Sequence, residues 1–294
     1  MQDIQKIDLY KKRDFGEKIN ATFAFLRQNF QPLGRCLLFI AGPLLLITGI
    51  ISGMLPVVVQ NEMEVFNLVG GGAINGFLSL IAGVLVVAVV HVYLDQYVKQ
   101  ADVRPIEVAE VWEGVKKIFF PFLLTSIVIG IVIVLGFMFL VIPGFILMAA
   151  LSLIYIIMTR ERLSFGDAFS RCFKLVGGNY LSTLLLIFVI VILQLMLGTI
   201  IGLPAILIIG FDAFFSASGE ALLKEQSLFY QLLYIIAQII NTVCSQFLTS
   251  IPLLALAFQY GNLIEKKEST GLMQDIQALG DASRPSRNQD DETY

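Results

Sequence analysis

His91 and Asp95 stand four residues apart, the spacing that places an imidazole and a carboxylate on one face of a helix. Such a pair can relay a proton or supply two ligands, and an interfacial hydrogen-bonded pair is the plainer reading. His91 is the only histidine, and Cys36, Cys172 and Cys244 lack any C-x-x-C spacing. The thiols therefore read as free, and neither a metal nor a cofactor is expected. Gly70-Gly71-Gly72 neither follows a strand nor ends in Lys-Ser/Thr, so it reads as a flexible helix start, not a phosphate loop. With no nucleophile-base pair and no metal cluster, no catalytic residue is assigned and the chain is not expected to be an enzyme.

A second group of residues is polar but not ionisable. Asn75, Gln194, Asn241, Ser245 and Gln246 lie deep in apolar runs, where side-chain amides and hydroxyls ordinarily bond between helices. The sharper reading gives Gln194, Asn241, Ser245 and Gln246 a polar cavity between the last two spans, opened by carbonyls freed at Pro204 and Pro252.

The elements that carry these residues are membrane helices. Hydrophobic residues make up 57% of the 294 and charged residues 15%, against about a quarter charged in soluble domains. From Ile118 to Met158 no residue is charged, and that run is far longer than one crossing of a roughly 30 Å hydrocarbon core needs. It must fold back, and Val141-Ile142-Pro143-Gly144-Phe145 reads as the tip, with proline ending one helix and glycine allowing a positive φ. Six spans are expected, at about 37–59, 72–94, 118–142, 144–159, 180–209 and 228–258, forming one membrane domain over residues 1–264. A polar tail over 265–294 is expected to be largely disordered, apart from a short apolar pattern at Leu272, Ile276 and Leu279. Gly49-x-x-x-Gly53 suggests close helix packing. Span five also holds Gly198-x-x-x-Gly202 and Pro204, which predict a kink or an exit near Gly202.

Three amphipathic helices precede the hairpins, at about 14–30, 105–117 and 164–176. In the first, Phe15, Ile19, Phe23, Leu26 and Phe30 fall within about 80° on a helical wheel. The second has Pro105 in its first turn and a stripe through Val108, Val111, Trp112 and Val115; the third has one through Phe165, Ala168, Phe169, Cys172, Phe173 and Val176. All but Lys224 of the 20 Lys and Arg residues lie in the segments around these helices or in the tail. Basic residues collect on the cytoplasmic side, so a bacterial inner membrane location with both termini cytoplasmic is expected. Lys18, Lys116, Lys117, Arg171 and Lys174 are candidate contacts for anionic lipid, unless they serve only to set topology. Membrane lipids are the expected partners, a protein partner is left open, and no nucleic acid is expected.

The three units share a pattern. Asp14-Phe15-Gly16-Glu17 and Ser164-Phe165-Gly166-Asp167 each join a capping residue to a carboxylate three positions on. Thirteen residues beyond the acid stand Phe30 and Tyr180, each after an asparagine; Arg104-Pro105-Ile106-Glu107 with Phe120 repeats the acid and the offset. On Val141 to Phe145, the helix Ser164 to Val176 and Gly178-Asn179-Tyr180-Leu181, the chain resembles an uncharacterised six-span bacterial family. That family is related to the membrane domain of glycerophosphoryl diester phosphodiesterases. The hydrolase domain that supplies their catalytic residues is absent, so the resemblance implies an accessory or lipid-facing module. The expected function is a noncatalytic scaffold, accessory or lipid-interacting module, with a small-molecule or lipid transporter using the cavity between spans five and six as the alternative.

Overall fold

The computed structural model describes residues 6–55, 62–100, 104–217 and 228–268. Asp14 opens α1 (Phe15–Ile40) with a full capping box: its Oδ1 accepts from the Glu17 amide at 2.7 Å, and Glu17 Oε2 accepts from the Asp14 amide at 2.9 Å. α1 runs through Pro32 and bends by 66° at Ala41 into α2 (Gly42–Met54), which takes Pro43 into its first turn. The expected surface helix and the start of the first span are therefore one helix, with the bend eleven residues later than residue 30. The face that meets protein lies beside the apolar stripe, whose Phe15, Ile19 and Leu26 are half-buried. Phe23 and Phe30 of the apolar stripe are exposed, whereas Lys18, Thr22, Phe25, Asn29, Leu33 and Cys36 are buried. In a bilayer the outside is oil, so an apolar stripe has no reason to turn inward.

Residues 62–64, expected in a loop, begin α3 (Glu62–Lys99), and Gly70 to Gly72 lie inside that helix, not at its start. The second surface helix and the third span are a single helix, α4 (Val108–Phe139); it continues through Pro121, and Pro105 precedes it. No break separates them because an isolated proline removes only one backbone bond. The hairpin tip is Leu140, extended at φ −157° and ψ 135°, between α4 and α5 (Val141–Leu151). Pro143 sits in the first turn of α5, where its missing N–H costs nothing. Gly144 has no positive φ; its role is closeness, since a Cβ there would lie 2.6 Å from the Phe137 ring. After a break at Ser152 and Leu153, α6 (Ile154–Arg160) completes the return span.

Ser164 caps α7 (Phe165–Val176), whose Ala168, Cys172, Leu175 and Val176 are buried while Phe165, Phe169 and Phe173 stack along its flank. Gly178 (φ 79°) then turns the chain into α8 (Tyr180–Ala217), which continues past Gly202 and Pro204 as one helix and does not exit there. α9 (Leu228–Leu248) and α10 (Ser250–Glu268) form the last span, broken at Thr249. α10 extends four residues beyond 264, and Ile264 and Glu265 are buried. The remainder of the tail, with Leu272, Ile276 and Leu279, lies outside the described residues, as do Asn61 and Lys224.

Among the described residues, five helices are long and apolar enough to cross a membrane, and six when the bent α1–α2 pair is one span. The protein is an all-α polytopic membrane protein. Gly49 and Gly53 do pack closely: a Cβ on either would stand 2.8 Å or 2.7 Å from the Cα of Ile239 or Ile235 on α9. The main core joins α1, α3, the start of α4, α6, α7 and α10 around Phe25, Tyr93, Phe122 and Phe258. At this end the basic segments meet. Lys6 donates to the Val98 carbonyl (3.0 Å), Arg160 pairs with Asp95 (2.5 Å), and Lys267 caps α7 through the carbonyls of Lys174 (2.6 Å) and Gly177 (2.8 Å). We call it the basic end, and its opposite the far end.

Candidate functional site

His91 and Asp95 share a helical face but not a bond. His91 is buried, donates from Nδ1 to the Val87 carbonyl at 2.8 Å, and sits between the rings of Phe122 and Tyr155. Asp95 turns instead to Arg160 and Lys99. The relay and the interfacial pair both fail for one reason: a guanidinium 65 residues away offers the carboxylate a stronger partner than a neutral imidazole does. Among the described residues no group of three His, Cys, Asp or Glu side chains stands close enough to hold a metal ion.

Beneath the basic end lies a polar interior that the linear sequence concealed. Lys18, 2% exposed, donates to Gln259 Oε1 at 2.8 Å; Gln259 Nε2 donates to Thr183 Oγ1 at 2.9 Å, tying α1, α10 and α8. Tyr93 donates to Asn29 Oδ1 at 2.9 Å, and the Arg13 amide to Asn262 Oδ1 at the same distance. A second chain runs along the rim: Arg171 bonds Glu161 (2.8 Å) and Glu268 (2.6 Å), and Tyr260 donates to Glu161 at 3.1 Å. Burial alone would lower Arg171, but the two carboxylates outweigh it and hold the guanidinium above its ordinary value. Burial, with Glu161 nearby, pushes the Cys172 thiol up to about 12. All three cysteines are free, two of them buried.

This arrangement revises the candidate lipid contacts. Lys18 points inward and is removed from the list; Arg171 is held by two carboxylates. Lys116 is exposed beside Glu113 at 2.5 Å, and Lys117 and Lys174 are exposed. Lys18 was expected to reach headgroups, but its side of α1 packs on α10, where Gln259 accepts from it.

Towards the far end α8 and α9 pack together at Ala205, Tyr234 and Ala237. Between them lies a groove of about 570 Å³, floored by Gln194, Thr199, Gln238, Asn241 and Ser245 and rimmed by apolar residues such as Leu195 and Ile206. Both rim residues are more than half exposed, so the groove opens sideways. Gly198 and Gly202 leave the α8 wall flat: a Cβ at Gly198 would touch nothing within 4 Å, and one at Gly202 would meet only Asn241 Oδ1 and Ile206, at 3.5 and 3.8 Å. No lining residue is ionisable. Three of the four predicted cavity residues, Gln194, Asn241 and Ser245, come together here; Gln246 is not among the lining residues, though its carbonyl accepts from the Thr249 amide at 3.2 Å. Gln238 and Thr199 were missed, although Gln238 precedes Asn241 by three residues and so shares its face. Asn75, by contrast, makes the ordinary interhelical bond, donating to Ser52 Oγ at 2.8 Å.

No protein-family model, curated protein or solved structure matches the chain.

Proposed function

We propose that this protein is a noncatalytic, lipid-binding membrane module, anchored at its basic end and receiving a lipid in the groove between α8 and α9. The observation that carries the reading is the groove itself. Its volume lies within the roughly 300–1,000 Å³ of small-molecule sites, and its floor is polar while its rim is apolar and laterally open. Anything entering sideways from a bilayer is an amphiphile. The same groove serves the transport alternative only if it conducts through the membrane, and nothing in its lining supplies an ionisable step.

The basic end belongs at the cytoplasmic surface of a bacterial inner membrane, because the paired spans return every basic segment to it. There α7 and the first turns of α1 and α4 lie at the interface, with Lys116, Lys117 and Lys174 as the exposed cations facing anionic headgroups. The resemblance to the membrane domain of glycerophosphoryl diester phosphodiesterases fits such an accessory role. The test is photocrosslinking of acyl-diazirine phospholipids and neutral lipids to the protein in nanodiscs, with adducts mapped by mass spectrometry. Adducts concentrated on α8 and α9 peptides, and reduced by Gly198→Val, are expected; labelling spread evenly over all lipid-facing helices would remove the reading. Orientation is checked separately, since Lys174→Cys must resist impermeant thiol reagents applied to intact cells.

A further inference from the structure

Resting on that lipid-binding reading, we infer that the groove selects a neutral lipid bearing a free hydroxyl, of the diacylglycerol type, from the leaflet at the far end. Three features of the floor lead there. The first is unspent hydrogen-bonding capacity. Asn241 uses its Oδ1 to accept from Ser245 at 3.4 Å, Gln194 donates once to Thr249 at 3.4 Å, and Gln238 donates once to Tyr234 at 2.8 Å. Each amide has two donor hydrogens and two acceptor lone pairs, so donors and acceptors remain on the same floor. In hydrocarbon an unmade bond is costly, and a hydroxyl, which both donates and accepts, satisfies both kinds.

The second feature is depth. Gln194 stands fourteen residues beyond Tyr180, roughly 21 Å along α8 at about 1.5 Å per residue. Asn241 stands twenty-five residues before Lys266, roughly 37 Å along α9 and α10 by the same rise. With a hydrocarbon core of about 30 Å, the floor begins roughly 9 Å short of the far interface and climbs to it. A phospholipid whose phosphate stays in the far headgroup layer would lay only acyl chain across Gln194, leaving its remaining donor and acceptor sites unused. A lipid able to sink its polar end below the headgroups would not.

The third feature is charge. No Lys, Arg or His lines the groove, so a phosphate drawn down to Gln194 would lose water and meet no cation. Among the described residues, the cations that tie this bundle together stand at its other end. The floor thus admits hydroxyl and carbonyl groups and rejects an anion.

The experiment uses the full chain in nanodiscs with two bifunctional probes of identical diazirine acyl chains, a diacylglycerol and the corresponding phosphatidate. At equal mole fraction, diacylglycerol adducts on α8 and α9 peptides are expected to exceed phosphatidate adducts about tenfold. Gln194→Leu with Asn241→Leu is expected to bring that ratio near one. Ser245→Ala, which deletes one hydroxyl, should lower it partway and keeps the test valid if the double variant does not fold. Equal or preferential labelling by phosphatidate overturns the headgroup assignment while leaving lipid binding standing. Labelling of α8 and α9 by neither probe overturns both. A ratio that survives in Ser245→Ala and in the folded double variant overturns the role of the floor.

Discussion

Gly261 is the point at which the amino-terminal strap, residues 6–14, is seated on α10, and Gly261→Ala should unseat it. A Cβ there would stand 2.1 Å from the Leu9 carbonyl oxygen and 2.9 Å from its carbon, both backbone atoms that no rotamer can move. Restoring an ordinary contact of 3.4 Å shifts the strap by about 1.3 Å, the difference between the two distances. The Arg13 amide bond to Asn262 (2.9 Å) and the Ile7 amide bond to the Tyr97 hydroxyl (3.0 Å) then stretch beyond bonding range. Each contributes about 1 kcal/mol net. Partial exposure of Leu9, now 3% exposed, adds up to about 1 kcal/mol, less than half of a full leucine burial. A loss of about 2–3 kcal/mol raises the open population roughly 30- to 150-fold at about 1.4 kcal/mol per decade. The assay is trypsin cleavage after the exposed Lys11 and Lys12 of the protein in detergent, since cleavage of a rapidly reclosing segment follows its open population. Gly16→Ala is the control, because its Cβ would meet only Asp14 Oδ1 at an ordinary 3.7 Å. If Gly261→Ala is cleaved within about threefold of the parent while Gly16→Ala behaves alike, the strap is not held where the contacts place it. An unchanged melting temperature distinguishes strap release from general unfolding.

Gly53→Val should lower the melting temperature by several degrees, since overpacking costs about 1–3 kcal/mol and its Cβ meets the Ile235 Cα at 2.7 Å. Gly198→Val, whose Cβ meets nothing, should leave it unchanged, and equal melting of the two would contradict the close α2–α9 contact. In a double-mutant cycle, Asp95→Asn and Arg160→Met should show a coupling of about 1–3 kcal/mol by thermal unfolding, because the pair is 12% and 14% exposed; additivity would refute the ion pair. Cys172 should resist maleimide at pH 8 until the protein unfolds. Its raised folded value favours the fold below pH 9, and that contribution fades as pH rises towards 12. Labelling of Cys172 at the rate of a free peptide thiol would show that α7 is not packed.

Local signals in the sequence were legible wherever the physics is local. The capping pairs Asp14 with Glu17 and Ser164 with Asp167 start α1 and α7 as their spacing requires. The stripe of α7 and the tight packing at Gly49 and Gly53 were also readable from spacing, while Gln194, Asn241 and Ser245, which line one groove, stood out only as polar residues deep in apolar runs. Pro143 marked the hairpin within three residues, but the turn fell on Leu140 because proline is at home in the first turn of a helix. The continuous α4 was missed because polar composition changes at Lys117 while helical geometry does not. Pairings across the chain were out of reach: Lys18 finds Gln259 at a separation of 241 residues, which no spacing rule encodes.

The polar residues that α1 turns towards protein explain how one chain can be firm at one end and open at the other. At the basic end, water is near, so Lys18, Asn29, Gln259 and Asn262 can be folded inward only because each finds a partner: Lys18 and Gln259 each other, Asn29 the Tyr93 hydroxyl, Asn262 the Arg13 amide. These directional bonds lock α1, α3, α8 and α10 at that level. Further along, most of what the helices offer one another is apolar, and lipid solvates that as well as protein does. Nothing then draws α4 and α8 inward, and 17% and 11% of their apolar windows are buried against 56% for α3. Where α9 closes on α2, glycines supply the contact; along α8, amides line the groove between the two helices. Filling that groove with lipid restores bonds that the bare helices leave unmade, so occupancy should bring α8 and α9 into register without disturbing the basic end. Hydrogen exchange in nanodiscs would test this: protection should rise at Gln194 to Gly202 and Gln238 to Ser245 on adding the bound lipid, and stay constant at Lys18, Thr183 and Gln259. A rise shared equally by both ends would refute the division.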